Sequence, residues 1–112
     1  MTSGIETTDQ QAAAVAVAER VTLADIEAAI GARYDMTADQ AVGAGTPVVE
    51  PLKLLSICIL VMNNGFTVLG KSAPASPANF NADLGKKFAY EDAIRQLWPL
   101  MGFALRNKLA GV

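Results

Sequence analysis

The chain has 112 residues, of which 52% are hydrophobic and 18% are charged, and it contains one cysteine and no histidine. This length holds one small hydrophobic core. Without histidine there is no Ser-His-Asp triad, no Cys-His pair and no imidazole metal ligand. A single cysteine excludes an intramolecular disulfide and a CxxC redox pair. We therefore predict one domain that is not an enzyme and that uses no metal or cofactor.

The charges are divided unevenly along the chain. The formal net charge is −2, but residues 1–50 carry −6 and residues 51–112 carry +4. This division is expected if one half packs on the other or if the basic half binds an anion, and ordinary solvation of two faces also explains it. The longest apolar run, 57–62, is too short to span a bilayer, and no basic segment precedes the alanine-rich stretch near the N-terminus. We expect a cytoplasmic protein without membrane contact.

The N-terminal part of the chain is predicted to contain one helix. Residues 1–20 have the composition of a flexible, alanine-rich leader, and residues 21–112 form the predicted domain. Thr22 with Asp25 three residues later is typical of a helix N-terminus with a capping box. Apolar side chains then recur at helical spacing as far as Ile30. The sequence therefore predicts a helix that begins at Thr22.

The helix is followed by a predicted connector. We expect the helix to end within residues 31–34, and residues 35–51 contain two glycines and two prolines that break regular structure. Thr37 and Asp39 are suited to start one short helical turn within this segment. The connector is otherwise predicted to lack helices and strands.

A β-hairpin is predicted from two apolar runs, 54–62 and 66–69. Asn64-Gly65 between them favours a type I′ turn, because both residue types tolerate positive φ. The first strand is apolar at nearly every position, so burial of both its faces is expected. Because an isolated hairpin is marginally stable, we predict that a second copy completes the sheet in a homo-oligomer. The alternative is a monomer in which the leader or the connector covers the second face.

The C-terminal part of the chain is predicted to form one long helix. Asn79 or Asn81 is suited to cap its N-terminus, and Pro99 removes a backbone donor and should kink it. Its apolar stripe consists of Leu84, Phe88, Ala93 or Ile94, Leu97, Met101 and Leu105. The predicted fold class is therefore α+β, with an N-terminal helix, a β-hairpin and a long kinked C-terminal helix.

A group of basic and polar side chains is predicted near the hairpin end and the start of the long helix. The group consists of Lys71, Ser72, Asn79, Asn81, Lys86, Lys87, Tyr90 and Arg95. The cations would supply charge, the serine and asparagines hydrogen bonds and the tyrosine a stacking surface, beside a helix N-terminus that attracts anions. This pattern predicts a site for a small anionic ligand, although a solvated lysine face explains it too. Nucleic acid fits less well, since the cluster is short and the net charge acidic.

Other motif-like patterns have structural interpretations. Residues 65–72 match GxxxxGK[ST], but their context is a strand followed by prolines and not a loop followed by a helix. Residues 79–90 begin like a calcium loop, but the glycine is misplaced and the twelfth position is not glutamate. Glu91 and Asp92 diverge by about 100° on a helix and are expected on a solvated face. Trp98 and the apolar residues after it are expected in the core, with a seam between subunits as the alternative.

The most specific phrases of the chain are Asn64-Gly-Phe-Thr-Val, Pro77-Ala-Asn-Phe and Leu97-Trp-Pro-Leu. With their surroundings, over most of residues 21–109, they resemble the small gene-49/gene-66 family of tailed bacteriophages and prophages. The resemblance implies an accessory protein that acts in the host cytoplasm during infection or lysogeny. The family has no established activity, so no residue role is transferred. Lys71 stands where the family pattern has an acidic residue.

Three functions are compatible with this resemblance. The first is a non-enzymatic binding protein that captures a small anionic, nucleotide-like host ligand such as an immune signal. The second is an interaction module that inhibits or redirects a host protein through the apolar strand or the acidic N-terminal half. The third is a minor structural or assembly component of the phage. Each is an analogy at the level of the family, because no site carries it by itself.

Overall fold

A computed structural model describes residues 4–16 and 18–112, and its architecture is α+β, as predicted. The helices are α1 (Gly4–Val15), α2 (Leu23–Ala28), α3 (Ala38–Ala41) and α4 (Ala82–Ala110). The strands are β1 (Ile30–Thr37), β2 (Ser56–Met62) and β3 (Thr67–Ser72), and short 3₁₀ turns cover Glu50–Leu54 and Pro77–Asn79. The strands form one antiparallel sheet in the order β1-β2-β3. Helix α4 packs across one face of β2 and β3.

The predicted hairpin is confirmed, but its turn is of another type. The Gly65 N–H donates to the Met62 carbonyl at 2.9 Å and the Met62 N–H to the Phe66 carbonyl at 2.8 Å. Gly65 has φ +86°, whereas no non-glycine residue of the described chain has positive φ. The predicted type I′ turn is therefore wrong, and the geometry is that of a three-residue loop with a glycine bulge. Asn64 keeps a negative φ while its side chain accepts the Phe66 N–H at 2.9 Å.

Strand β1 was not predicted. The capping box at Thr22 is present, with the Asp25 N–H donating to the Thr22 hydroxyl at 3.0 Å, but α2 ends at Ala28. The expected continuation to residues 31–34 is wrong because Ile30–Thr37 pairs antiparallel with β2. β1 also occupies the first part of the predicted connector. The short helical turn after Thr37 is confirmed as α3.

The hydrophobic core lies between α4 and one face of the sheet. Burial alternates along β2, so Cys58 and Leu60 are fully buried under α4 while Ile57, Ile59 and Val61 on the opposite face are half-buried. Helix α2 adds Ile26 to the same core. Among residues 4–16 and 18–112, helix α4 covers one face of β2, and the expected burial of its other face is not seen.

Helix α1 occupies most of the segment predicted as a flexible leader. Ile5 on α1 is buried in the main core cluster. The Asp9 carboxylate accepts hydrogen bonds from the Arg20 guanidinium at 2.8 Å and from the Leu23 N–H at 3.1 Å. These bonds tie α1 to the start of α2. Residues 1–3 and 17 of the predicted leader lie outside the described part of the chain.

Helix α4 is continuous over 29 residues and passes through Pro99. Asn81 is its N-cap, as predicted, and its side-chain carbonyl accepts the Leu84 N–H at 3.1 Å. The predicted apolar stripe is only partly buried, because Leu84 and Phe88 are exposed at the N-terminal end. The buried residues of the helix are Ala89, Glu91, Ala93, Ile94 and Leu97. A kink at Pro99 stays a prediction.

Candidate binding surfaces

Three of the predicted ligand-binding residues line one cavity beside the start of α4. Ser72 is the last residue of β3, and Asn79 and Asn81 lie just before the start of α4. Together these three residues border a cavity of about 180 Å³. The remaining wall is largely apolar and includes Phe80 and Phe88. Among the described residues that line this cavity none is charged. The cavity therefore combines hydrogen-bonding groups with aromatic carbon and carries no carboxylate that would repel an anion.

The structure does not gather the predicted cations around that cavity. Lys86 lines a second, more polar cavity of about 320 Å³ that it shares with Asp35. Lys71 pairs with Ile57 across β2 and β3, so its side chain points to the sheet face opposite α4. Arg95 lies far along α4, where its guanidinium is close to Gly4 of α1. Lys87 is half-buried on α4.

Tyr90, which is half-buried on α4, makes two contacts that the sequence did not indicate. The Arg33 guanidinium lies 4.0 Å from the centre of its ring, and its hydroxyl donates to Glu27 at 3.1 Å. Burial, followed by the Glu27 carboxylate, raises the pKa of Tyr90 to about 12. One ring face is therefore already covered by Arg33, which limits the stacking surface predicted for a ligand.

A regular, largely apolar surface lies on the sheet face opposite α4, which we term the open face. It consists of Ala32, Tyr34 and Met36 on β1, Ile57, Ile59 and Val61 on β2, and Thr67, Leu69 and Lys71 on β3. Tyr34 and Leu69 are 55% and 53% exposed. The apolar run of β2 indicated this face, but the contribution of β1 was not predicted, because the sequence favours a helix that ends within residues 31–34 and a connector over residues 35–51. The alternation of Ile30, Ala32, Tyr34 and Met36 was the available signal.

A second exposed apolar region lies where the hairpin turn meets the C-terminal half of α4. A cavity of about 350 Å³ there is lined by Phe66, Leu97 and Leu100, among others. Trp98 is packed as expected and donates its indole N–H to the Val21 carbonyl at 3.1 Å. Leu100 and Phe103 are exposed, in contrast to the predicted core position. Both residues lie in the C-terminal half of α4 and do not pack against the sheet.

The adjacent carboxylates on α4 do not share the solvated face that was predicted. Glu91 is 4% exposed, and one of its carboxylate oxygens has no hydrogen-bond partner among the described residues. The Asp92 carboxylate accepts the backbone N–H of Lys71 at 2.9 Å. The rejection of a phosphate-binding loop at 65–72 is confirmed, since residues Thr67–Ser72 form β3. The hydrogen bond from the Lys71 N–H to the Asp92 carboxylate joins α4 to the β3 edge of the sheet.

Comparison with known proteins gives one match. The family model described as phage protein (N4 Gp49/phage Sf6 gene 66) family matches residues 21–109. No curated protein and no solved structure matches the chain significantly. Across residues 4–16 and 18–112, no helix combines the length and the hydropathy that a membrane crossing requires. The matched region begins just before α2 and ends within α4.

Proposed function

Because the chain belongs to the N4 Gp49/phage Sf6 gene 66 family of phage proteins, we propose that it is a non-enzymatic accessory protein that binds another protein through the open face. The observation that carries this proposal is the exposure of large apolar side chains on one regular surface. Tyr34 and Leu69 are about half exposed on strands at opposite edges of the sheet. Contiguous apolar surface of this kind is typical of protein interaction sites.

The chemistry of the open face indicates which kind of partner surface would complement it. Lys71, near the end of β3, is the one charged residue among the nine that form the face. A complementary partner has an apolar surface bordered by a carboxylate that meets Lys71. A host protein that the phage inhibits or redirects fits this description.

Capture from infected cells with matched variants tests this proposal. Leu69→Lys places a charge on the open face, whereas Phe103→Lys places the same charge on an apolar position in the C-terminal part of α4 that is also more than half exposed. We expect a host protein retained by the wild type and by Phe103→Lys to be lost with Leu69→Lys. With the purified partner, its Kd should rise at least about tenfold for Leu69→Lys, because a charge would be buried at the interface. Equal binding by both variants would reject the open face.

The second candidate function is capture of a small anionic, nucleotide-like ligand such as a host immune signal. The cavity lined by Ser72, Asn79 and Asn81 supports it, since these groups donate hydrogen bonds beside the N-terminus of a long helix. Lys86, which lines the neighbouring cavity with Asp35, and Lys87 do not line this cavity and would add positive charge only at longer range. Native mass spectrometry of protein from infected cells tests it. A bound mass that survives Ser72→Asp, which would place a carboxylate in the cavity, would rule out this site, and its loss in that variant but not in Thr67→Asp, an exposed position on the same strand, would support it.

A further inference from the structure

The two edges of the sheet differ in how their outward backbone groups are used. On β3, the Lys71 N–H donates to the Asp92 carboxylate at 2.9 Å, and the Leu69 carbonyl accepts from the Gln96 side chain at 2.7 Å. Both partners belong to α4. These side chains replace a neighbouring strand, so the β3 edge is closed to pairing.

The outer edge of β1 has a bonded backbone group at its C-terminal end and a pairing irregularity at its N-terminal end. Leu69 and Lys71 direct their backbone N–H and carbonyl groups away from β2, so their partners Ile59 and Ile57 direct theirs toward β1. The residues of β1 that pair with Ile59 and Ile57 therefore point their backbone groups toward β2, and the alternate residues Arg33 and Asp35 point theirs outward. The Thr37 N–H is taken by the Gln40 side chain at 3.1 Å, and the pairing register shifts near Gly31. Among the described elements none pairs with this edge of β1. A short stretch centred on Tyr34 therefore remains available.

We propose that two copies of this protein associate through β1, antiparallel, with the two-fold axis at Tyr34. This register places Arg33 opposite Asp35 of the partner subunit and Asp35 opposite the partner subunit's Arg33. Both are hydrogen-bonded pairs, so the outward N–H and carbonyl groups of the two residues are satisfied in each copy. The result is a six-stranded antiparallel sheet.

The side chains of β1 are complementary to themselves in this register. Arg33 and Asp35 lie on the α4 side of the sheet, where they form an ion pair at 3.0 Å. Around the two-fold axis each also faces the opposite charge on the neighbouring strand, which stabilises cross-strand pairs. Tyr34, now 55% exposed, meets Tyr34 of the partner subunit on the open face. The open faces of the two copies become continuous, although the pairing itself does not depend on the proposed function.

Charge reversal tests the register. Asp35→Arg gives two cations at the edge and Arg33→Asp gives two anions, so each variant repels a second copy of itself. We expect the wild type to be a dimer by analytical ultracentrifugation, and each variant's dimerisation constant to be weaker by at least about tenfold. An equimolar mixture of the two variants should recover the dimer, since unlike edges attract. Circular dichroism establishes that each variant is folded.

Three outcomes would overturn the proposal. They are a monomeric wild type, undiminished self-association of Asp35→Arg, and a mixture of folded variants that fails to associate. If wild-type dimers instead form by stacking of the open faces, Leu69→Lys abolishes them and Asp35→Arg does not. That result also contradicts pairing through β1.

A disulfide trap provides a second measurement that does not alter the charges. The two-fold axis makes position 34 a non-hydrogen-bonded pair with its own copy, with Cα atoms about 4.5 Å apart. That distance suits a disulfide. Oxidised Tyr34→Cys should therefore run as a covalent dimer, whereas Thr67→Cys, exposed on the same face but on β3, should remain monomeric. Equal cross-linking of the two variants would contradict the register.

Discussion

Gly70 shows how one residue determines the distance between the sheet and α4. A Cβ at this position would collide with the Ala89 carbonyl and lie 2.6 Å from the Ala93 backbone nitrogen. The two alanines are fully buried, so the helix backbone passes directly over β3. Only glycine on the strand and small residues on the helix permit this approach.

We expect Gly70→Ala to lower the free energy of unfolding by about 2 kcal/mol or more, because α4 must move away from the sheet. Gly102→Ala is the matched control, since nothing lies within 4 Å of a Cβ there. It should raise stability by about 0.5–1 kcal/mol, because alanine favours the helix. Urea unfolding measures both changes. Equal effects of the two substitutions would contradict the close packing of α4 on Gly70.

Cys58 makes the folded state sensitive to alkaline pH. Its side chain is fully buried, and burial, with a smaller contribution from Asp35, raises the pKa of the thiol to about 11. The unfolded chain therefore loses this proton at lower pH than the folded protein, and stability falls as pH rises from about 9 to 11.

We expect a loss of roughly 2 kcal/mol over that range, measured by urea unfolding at several pH values. Cys58→Ala should be less stable at neutral pH, because it leaves a cavity, but its stability should decline less between pH 9 and 11. A parallel decline in the variant and the wild type would show that Cys58 does not titrate in this range.

At the scale of elements, Asp9 links α1 to the start of α2. Arg20, through its hydrogen bond, holds the pKa of this carboxyl below its usual range, and the Leu23 N–H contributes further. A lowered carboxyl pKa stabilises the folded state above the unfolded pKa and loses that effect as pH falls through the folded value. The attachment of α1 should therefore weaken in acid before the sheet and α4 open.

Asp9→Asn should accelerate amide hydrogen exchange in α1 by about fivefold, which corresponds to roughly 1 kcal/mol for the lost charged hydrogen bond. Exchange in α4 should be unchanged, because the Asp9 carboxylate accepts its hydrogen bonds from Arg20 and from the Leu23 N–H, which both lie outside α4. Gln11→Ala, an exposed change on the same helix, is the control. Equal acceleration in α4 would indicate that α1 and the sheet unfold as one unit.

At the scale of the whole molecule, α1 lies outside the region that the family model matches. The matched region is 21–109, and α1 contributes only Ile5 to the buried cluster that unites α2, the sheet and α4. Removal of residues 1–20 should therefore leave a cooperatively unfolding protein with a lower Tm. Trp98 lines the same cavity as Ala12, so its fluorescence should shift to longer wavelength. Loss of the cooperative transition would show that α1 is indispensable for the fold.

Local signals in the sequence were sufficient for several features of this protein. The capping box at Thr22, the hairpin around Gly65, the Asn81 cap and the α+β class follow from short-range propensities and periodicity, which act wherever the chain is placed. The charge balance and the absence of histidine likewise required no structure. These are properties of residue type and of spacing over a few positions.

The tertiary structure decided what depends on pairing between distant segments. The local sequence around Ile30 and Tyr34 is compatible with the end of a helix. These residues form β1 because β2 is available as a pairing strand in the folded protein. Three cations that lie within 25 positions of the sequence, Lys71, Lys86 and Arg95, are on different surfaces of the folded protein. The sheet places the first on the open face, and the length of α4 separates the other two. Register and packing set which side chains meet, and neither is encoded in local spacing alone.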